Sequence, residues 1–358
     1  MRVLDAFLIS YSDSSFTNPH QVVRPDEPQE CTGDFTHMGA KYWGYETARH
    51  KATSLTENNK FSFNDDAYHW IHIGLQNRAA VSRISISTKW FTGNQVPEVA
   101  IELLDDRGRT EVVARTPLAP DEEHAFDIEP VMASECLVRC YHEGGIARVN
   151  LLGESQTSET GQINLLGQAT ISHVSNEHYG KPSDAVKGNR QVDYMLGWES
   201  ARTGFGEYAL FHLDKAQLVS DIIVDTYLHR LNPPLSCHIF GINLSNEREL
   251  EKIWRQRPCW KIEFEDGLQV IPRDFQSYMQ KKLYRKEPTD DPSRFTIMLD
   301  NQHYDIWKPL VPFGRLRADT WHRFRVTKDH GPLTHILYSH YPNGGIHGLK
   351  IYGVDTDS

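Results

Sequence analysis

This 358-residue chain contains a second, altered copy of one of its own sequence patterns. Leu118-x-x-Asp121-x-x-His124-x-Phe126 precedes Gly144-Gly145-Ile146-x-x-Val149-x-Leu151-x-Gly153. The series returns as Leu316-x-x-Asp319-x-x-His322-x-Phe324 before Gly344-Gly345-Ile346-x-x-Leu349-x-Ile351-x-Gly353. Upstream, Trp70-x-x-Ile73-x-Leu75 leading to Ser87-Thr88 and Asn94 aligns without a gap onto Tyr208-x-x-Phe211-x-Leu213 leading to Asp225-Thr226 and Asn232. Ahead of each block lies a glutamate–arginine element, Gly44-Tyr45-Glu46-Thr47-Ala48-Arg49 and then Gly197-Trp198-Glu199-Ser200-Ala201-Arg202. A repeated pattern of apolar positions specifies a repeated core, so the chain should fold as two similar modules.

Residues 81–88, 99–104, 137–141 and 147–152 read as short strands, and residues 218–226, 238–242, 334–340 and 349–352 answer them in the second half. Asp105-Asp106-Arg107-Gly108 and Pro342-Asn343-Gly344-Gly345 are turn sequences, because asparagine, aspartate and glycine tolerate the backbone angles of tight connections. Strands at this density predict an all-β chain of two antiparallel sandwiches. The first module is expected over residues 1–154 and the second over 163–358. The polar stretch 155–162, with almost nothing to bury, is expected to be a surface linker. The second copy is longer by an insertion at about 245–309, rich in aromatic residues such as Trp254, Trp260, Tyr304 and Trp307. A segment of that kind is a lid, pocket wall or subunit contact, or else a decoration on the sandwich edge.

A net charge of −10 disfavours nucleic acid, and the densest basic run, Lys281 to Lys286, is followed at once by Glu287, Asp290 and Asp291. No apolar run is long enough to span a membrane and no secretion signal opens the chain, so a cytoplasmic protein is expected. Five cysteines at irregular spacing form no zinc pattern and read as reduced thiols. The histidines show no ligand spacing, so no metal is expected. Gly144-Gly145 and Gly344-Gly345 match no phosphate-cradling loop, and no cofactor is expected.

The chain resembles the allantoicase family at several of these motifs. Trp43-Gly44-Tyr45-Glu46-Thr47-Ala48-Arg49 stands for the family's glycine-tryptophan-glutamate-threonine/serine-x-arginine element. His69-Trp70-Ile71-His72-Ile73-Gly74-Leu75 stands for its histidine-aspartate-tryptophan strand, and Phe91-Thr92-Gly93-Asn94 for its phenylalanine-x-glycine-asparagine loop. The resemblance implies jelly-roll-like, galactose-binding-like sandwiches, often assembled as homo-oligomers, that hydrolyse allantoate to ureidoglycolate and urea. The copies also depart from the family pattern. Ser87 stands where the second copy keeps Asp225, His69 aligns with Glu207, and His229-Arg230-Leu231-Asn232 replaces the aromatic-x-glycine-asparagine loop.

A site for a small ureido acid needs a cation for the carboxylate and acceptors for the ureido N–H groups. Planar guanidinium groups pair with carboxylates through two parallel hydrogen bonds, which makes Arg49 and Arg202 the expected anchors. Asn94, Asn232 and Trp198 are expected to line the substrate. Splitting the carbon–nitrogen bond needs a proton for departing urea and a base for water, work expected of Glu46, Glu199, His69, Glu207, Asp225 or His229. Each Glu-x-x-Arg pair also reads as a structural ion pair. His124 and His322, inside repeated strand-entry elements, are expected to bond backbone and stand outside the site. Two rival functions share the fold. One is an isomerase or cyclase for a larger apolar substrate, its pocket shaped by the insertion. The other is a carbohydrate- or protein-binding module, which exposed tryptophans near Trp90 or Trp260 would support.

Overall fold

The computed structural model describes residues 1–14, 17–156, 163–188, 190, 197–202, 206–264, 269–270, 295–300 and 302–354. The chain divides into two compact units, Met1–Thr160 and Gly161–Ser358. Each is a β-sandwich around its own apolar core. Residues 157–162, most of the stretch expected to link the modules, lie outside the described residues, and Ser155 ends a strand.

The spine of the first unit is the strand Tyr68–Ser87. Its first half pairs antiparallel with Ala6–Tyr11 and with the end of the long strand Glu123–Tyr141. Its second half pairs with the start of that strand and with Arg148–Ser155. Register shifts between Asp127 and Val131, and between Ala133 and Glu135, interrupt the long pairing. Irregularities of this kind bend a strand, so one sheet folds over into two layers. Side chains two residues apart share a face, which places Ile71, Ile73 and Val138 of one layer opposite Ile84, Ile86, Val149 and Leu151 of the other in a single core. Each such burial is worth about 1.5–3 kcal/mol before chain entropy is charged against it.

The second unit repeats this plan around Glu207–Asp225, with Thr170–Val174 and Leu333–Tyr341 on its first half and Trp321–Arg325 and Gly348–Val354 on its second. The hairpin Glu98–Asp105/Gly108–Pro117 of the first unit corresponds to the pair Ser236–Ile242/Lys308–Arg315. The long insertion enters between these two strands, so Lys308 and Pro309 already belong to the sheet. Its described parts include a short helix, Leu250–Trp254, and a small sheet of Cys259–Phe264, Gln269–Val270 and Phe295–Asp300.

The insertion covers the outer face of its own sandwich. Leu210, Phe240, Ile242 and Leu337, which point away from the core, cluster with Leu250 and Trp307, and Tyr208 and Trp254 pack alongside. All seven residues of Ser236–Ile242 are therefore buried. Trp260 is 9% exposed and packs against Tyr341 and His238. No helix among the described residues is long and apolar enough to cross a membrane. The five cysteines are unpaired, and burial pushes the Cys136 thiol up to about 12.

Candidate functional site

In each unit the glutamate that opens the Glu-x-x-Arg element lies on a two-residue strand held against a second one. Tyr45–Glu46 pairs with Gly145–Ile146, and Trp198–Glu199 pairs with Gly345–Ile346, in the same register. The approach is so close that a Cβ on Gly44 would lie 2.4 Å from the Ile146 carbonyl oxygen, and one on Gly197 would lie 2.2 Å from that of Ile346. Both glycines have φ in the positive range, 95° and 136°. Glycine is thus required immediately before the aromatic–glutamate pair.

The carboxylates meet an amide from the neighbouring loop. Asn94 donates Nδ2–H to Glu46 Oε1 at 3.4 Å, and Asn232 donates to Glu199 Oε1 at 2.9 Å. Each asparagine also uses its backbone carbonyl to accept the amide of the paired glycine, Gly145 at 2.7 Å and Gly345 at 2.9 Å. Glu46 is buried, and its Oε2 has no hydrogen-bond partner among the described residues. Burial raises its pKa above the ordinary carboxylate value, opposed by the Asn94 bond and the positive charge of Arg49. Glu199 is half-buried, and Arg49 and Arg202 are both exposed.

The asparagine loops are built alike from repeated residues. Thr88 and Thr226 donate their hydroxyls to the Ala119 and Arg317 carbonyls, at 2.7 and 2.6 Å. Asp121 accepts the Trp90 amide at 2.8 Å and Asp319 that of Leu228 at 2.9 Å, holding both residues at positive φ. His124 bonds the Ala119 carbonyl and His322 that of Val224, the backbone roles expected of them. An aromatic ring lies over the paired glycine in each unit, Phe91 against Gly145 and His229 against Gly345. A Cβ on either glycine would fall within about 2 Å of that ring, which rules out any larger residue there.

Behind the glutamates the units diverge. In the first, buried His69 meets Asp13 Oδ2 through Nδ1 at 2.9 Å, and Asp13 Oδ1 accepts the Ala48 amide at 3.1 Å. Burial would raise the Asp13 carboxyl, but the His69 and Ala48 hydrogen bonds outweigh it and hold it below its usual range. In the second, buried Glu207 accepts the Ser175 hydroxyl, and Asn176 Oδ1 accepts the Ala201 amide at 2.9 Å. Trp198 donates its indole N–H to the Asn176 carbonyl at 2.8 Å, within the core.

Asp225 is also buried, and Arg190 holds it by two parallel bonds of 2.7 and 2.6 Å. Arg190 in turn lies over the rings of Tyr227 and Trp321. Burial lowers the pKa of His229, opposed by Glu199 and Asn232 beside it. His340, wholly buried, is lowered further, to about 3, by burial and then by His238 and His229. Its ring nitrogens have no partner among the described residues.

Of the expected site residues, the fold brings together Glu46 and Asn94, with Arg49 acting on Glu46, and Glu199 with Asn232 and His229. His69 reaches the same turn through Asp13 and Ala48. Trp198, Glu207 and Asp225 are engaged by their own units. The sequence reading missed Asp13, Asn176, Arg190 and His340. A signal for the first two exists: Ile9-Ser10-x-Ser12-Asp13 and Ile171-Ser172-x-x-Ser175-Asn176 precede the two Glu-x-x-Arg elements, offset by one residue. Among the described residues no group of three or more His, Cys, Asp or Glu is placed to hold a metal ion. The arrangement offers a buried carboxyl, an amide and a nearby surface cation, a set able to grip a ligand bearing both a carboxylate and N–H donors.

A family model described as the allantoicase repeat matches residues 1–156 and 163–356. A probable allantoicase of Pseudomonas syringae is 25% identical over 367 residues, spanning 97% of this chain and 92% of that protein. The allantoicase of Saccharomyces cerevisiae is 27% identical over 277 residues, 69% of this chain and 77% of its own length. A solved allantoicase structure aligns over 98% of this chain and 91% of that chain, with 21% identity and a TM-score of 0.35.

Proposed function

The chain belongs to the allantoicase family, and from that premise we propose that it hydrolyses a carbon–nitrogen bond of a ureido acid, taking allantoate and water to ureidoglycolate and urea. The observation that carries this reading is the duplicated carboxylate–amide pair, Glu46–Asn94 and Glu199–Asn232, with each glutamate three residues before its arginine, Arg49 or Arg202.

In each unit separately, the guanidinium of Arg49 or of Arg202 takes the carboxylate of that unit's ligand through paired hydrogen bonds. In the second unit Glu199 accepts a ureido N–H of that unit's ligand, and Asn232 holds the carboxylate in place. Glu46 is suited to the proton transfer, because a carboxyl made more basic by burial holds a proton nearer neutrality. Water oxygen bonds to the central carbon as the carbon–nitrogen bond breaks, and the departing nitrogen takes the proton from Glu46. His69, Glu207, Asp225, His229 and Trp198 act by fixing the elements around these groups.

Among the described residues, the tryptophans that would support the two rivals are engaged in packing or hydrogen bonding. Trp254 and Trp307 of the insertion pack on the outer face of the sandwich, and Trp260 is buried. The Trp90 indole N–H is bonded to the Pro28 carbonyl at 2.9 Å. The test is proton NMR of allantoate with the purified chain. Ureidoglycolate should appear as allantoate is consumed, and an unchanged allantoate spectrum with folded protein would refute the reading.

A further inference from the structure

The two Glu-x-x-Arg turns are tethered by equivalent bonds made with different chemistry. A carboxylate, Asp13, accepts the Ala48 amide in the first unit, and a neutral amide, Asn176, accepts the Ala201 amide in the second. The residue behind changes with it. His69 supports Asp13, whereas its counterpart Glu207 is itself acidic, so an aspartate at 176 would bring two carboxylates into one site. Asp13 is anchored through both oxygens yet keeps 34% of its side chain exposed. It is bonded two residues along the turn from Glu46 and one before Arg49.

We propose that Asp13 is the catalytic base of the first module and that the second module, with Asn176 in its place, binds a ureido acid without turning it over. The inference rests on the hydrolase reading above. Two carboxyl groups whose surroundings push them in opposite directions divide acid and base roles between them. Burial shifts Glu46 toward its protonated form, and the bonds from His69 and Ala48 shift Asp13 toward its anion. The other charged or titratable neighbours are Lys51 and Tyr45 around Asp13, and Arg49 beside Glu46. Asp13 takes one proton from water while the water oxygen bonds to the central carbon. The electron pair of the broken bond goes to nitrogen, which receives the Glu46 proton, and urea leaves. Exchange with solvent then returns Asp13 to its anion and Glu46 to its acid. An asparagine oxygen at position 176 is an acceptor of hydrogen bonds but takes up no proton at neutral pH.

The test is Asp13→Asn, which installs the second module's residue and keeps the bond to Ala48. Urea release from allantoate should fall by about 100-fold or more, the usual worth of a general base. KM should stay near its wild-type value, the melting temperature should hold, the acidic limb of the kcat–pH profile should vanish, and added formate should restore part of the rate. A variant that keeps wild-type kcat, or half of it, overturns the inference alone, the latter by assigning turnover to the second module. No urea from the folded wild type overturns this inference and the hydrolase reading together.

Discussion

Asn232 donates its side-chain amide to Glu199 across 2.9 Å, and its backbone carbonyl accepts the amide of Gly345, the residue paired with that same glutamate. Asn94 makes both contacts to Glu46 and Gly145 in the other unit. One asparagine thus fixes the distance between a loop, a strand and a carboxylate. The arginine three residues on is left exposed, able to meet a ligand without being needed for the fold.

That exposure separates binding from stability. Arg49→Ala should raise KM for allantoate by roughly 10- to 100-fold, and Arg202→Ala should weaken allantoate binding to the second unit, followed by calorimetry, by as much while leaving that KM alone, since hydrogen bonds to charged groups contribute about 1.5–3 kcal/mol. The melting temperature should barely move, as expected for exposed positions. Steady-state kinetics and thermal melts check both. A large drop in melting temperature would make the arginines structural.

Glu46 should leave a signature in stability against pH. Its folded pKa lies above its unfolded value, so its contribution is fully present below about 4.5 and is lost as pH rises through the folded value. Glu46→Gln removes that loss. Denaturant midpoints across the range should therefore give a variant that gains on the wild type as pH rises. Parallel curves would contradict the assigned burial.

His340 should act with the opposite sign. Its folded value of about 3 lies below its ordinary 6.5, so stability present above 6.5 is lost as pH falls toward 3. Each unit of pH in that window costs about 1.4 kcal/mol when the unfolded chain alone takes the proton. His340→Cys, which places the residue corresponding to Cys140, should show a shallower acid slope than the wild type. Equal slopes would mean that the imidazole is not buried in solution.

Asp225→Ala should destabilise the second unit by about 3 kcal/mol, because it leaves Arg190, 12% exposed, without its carboxylate. Replacing both partners, Arg190→Met with Asp225→Leu, should recover most of the loss. Denaturant unfolding decides the matter. An Asp225→Ala variant as stable as the wild type would show that the bidentate pair contributes little.

The duplication was legible because the residues that build each asparagine loop, Thr88 and Asp121 or Thr226 and Asp319, bond the backbone and so tolerate little change. The strands were legible from alternation. The insertion's place was not. Ser236–Ile242 and Leu333–Tyr341 read as strands but do not reveal that the insertion buries their outer face, nor that it parts two strands of one hairpin. Arg190 was missed because it lies outside every repeated block of the sequence. Asp13 was missed because its element carries a one-residue offset between copies. Its chemistry also depends on His69, 56 positions away in the chain, a contact that only the folded sheet reveals.

The most direct measurement is urea released from allantoate by folded wild-type protein and by Glu46→Gln. Stoichiometric urea and ureidoglycolate are expected from the wild type and loss of turnover from the variant, with a melting temperature at neutral pH no lower than that of the wild type. No urea from the wild type, or an unimpaired rate from the variant, would contradict it.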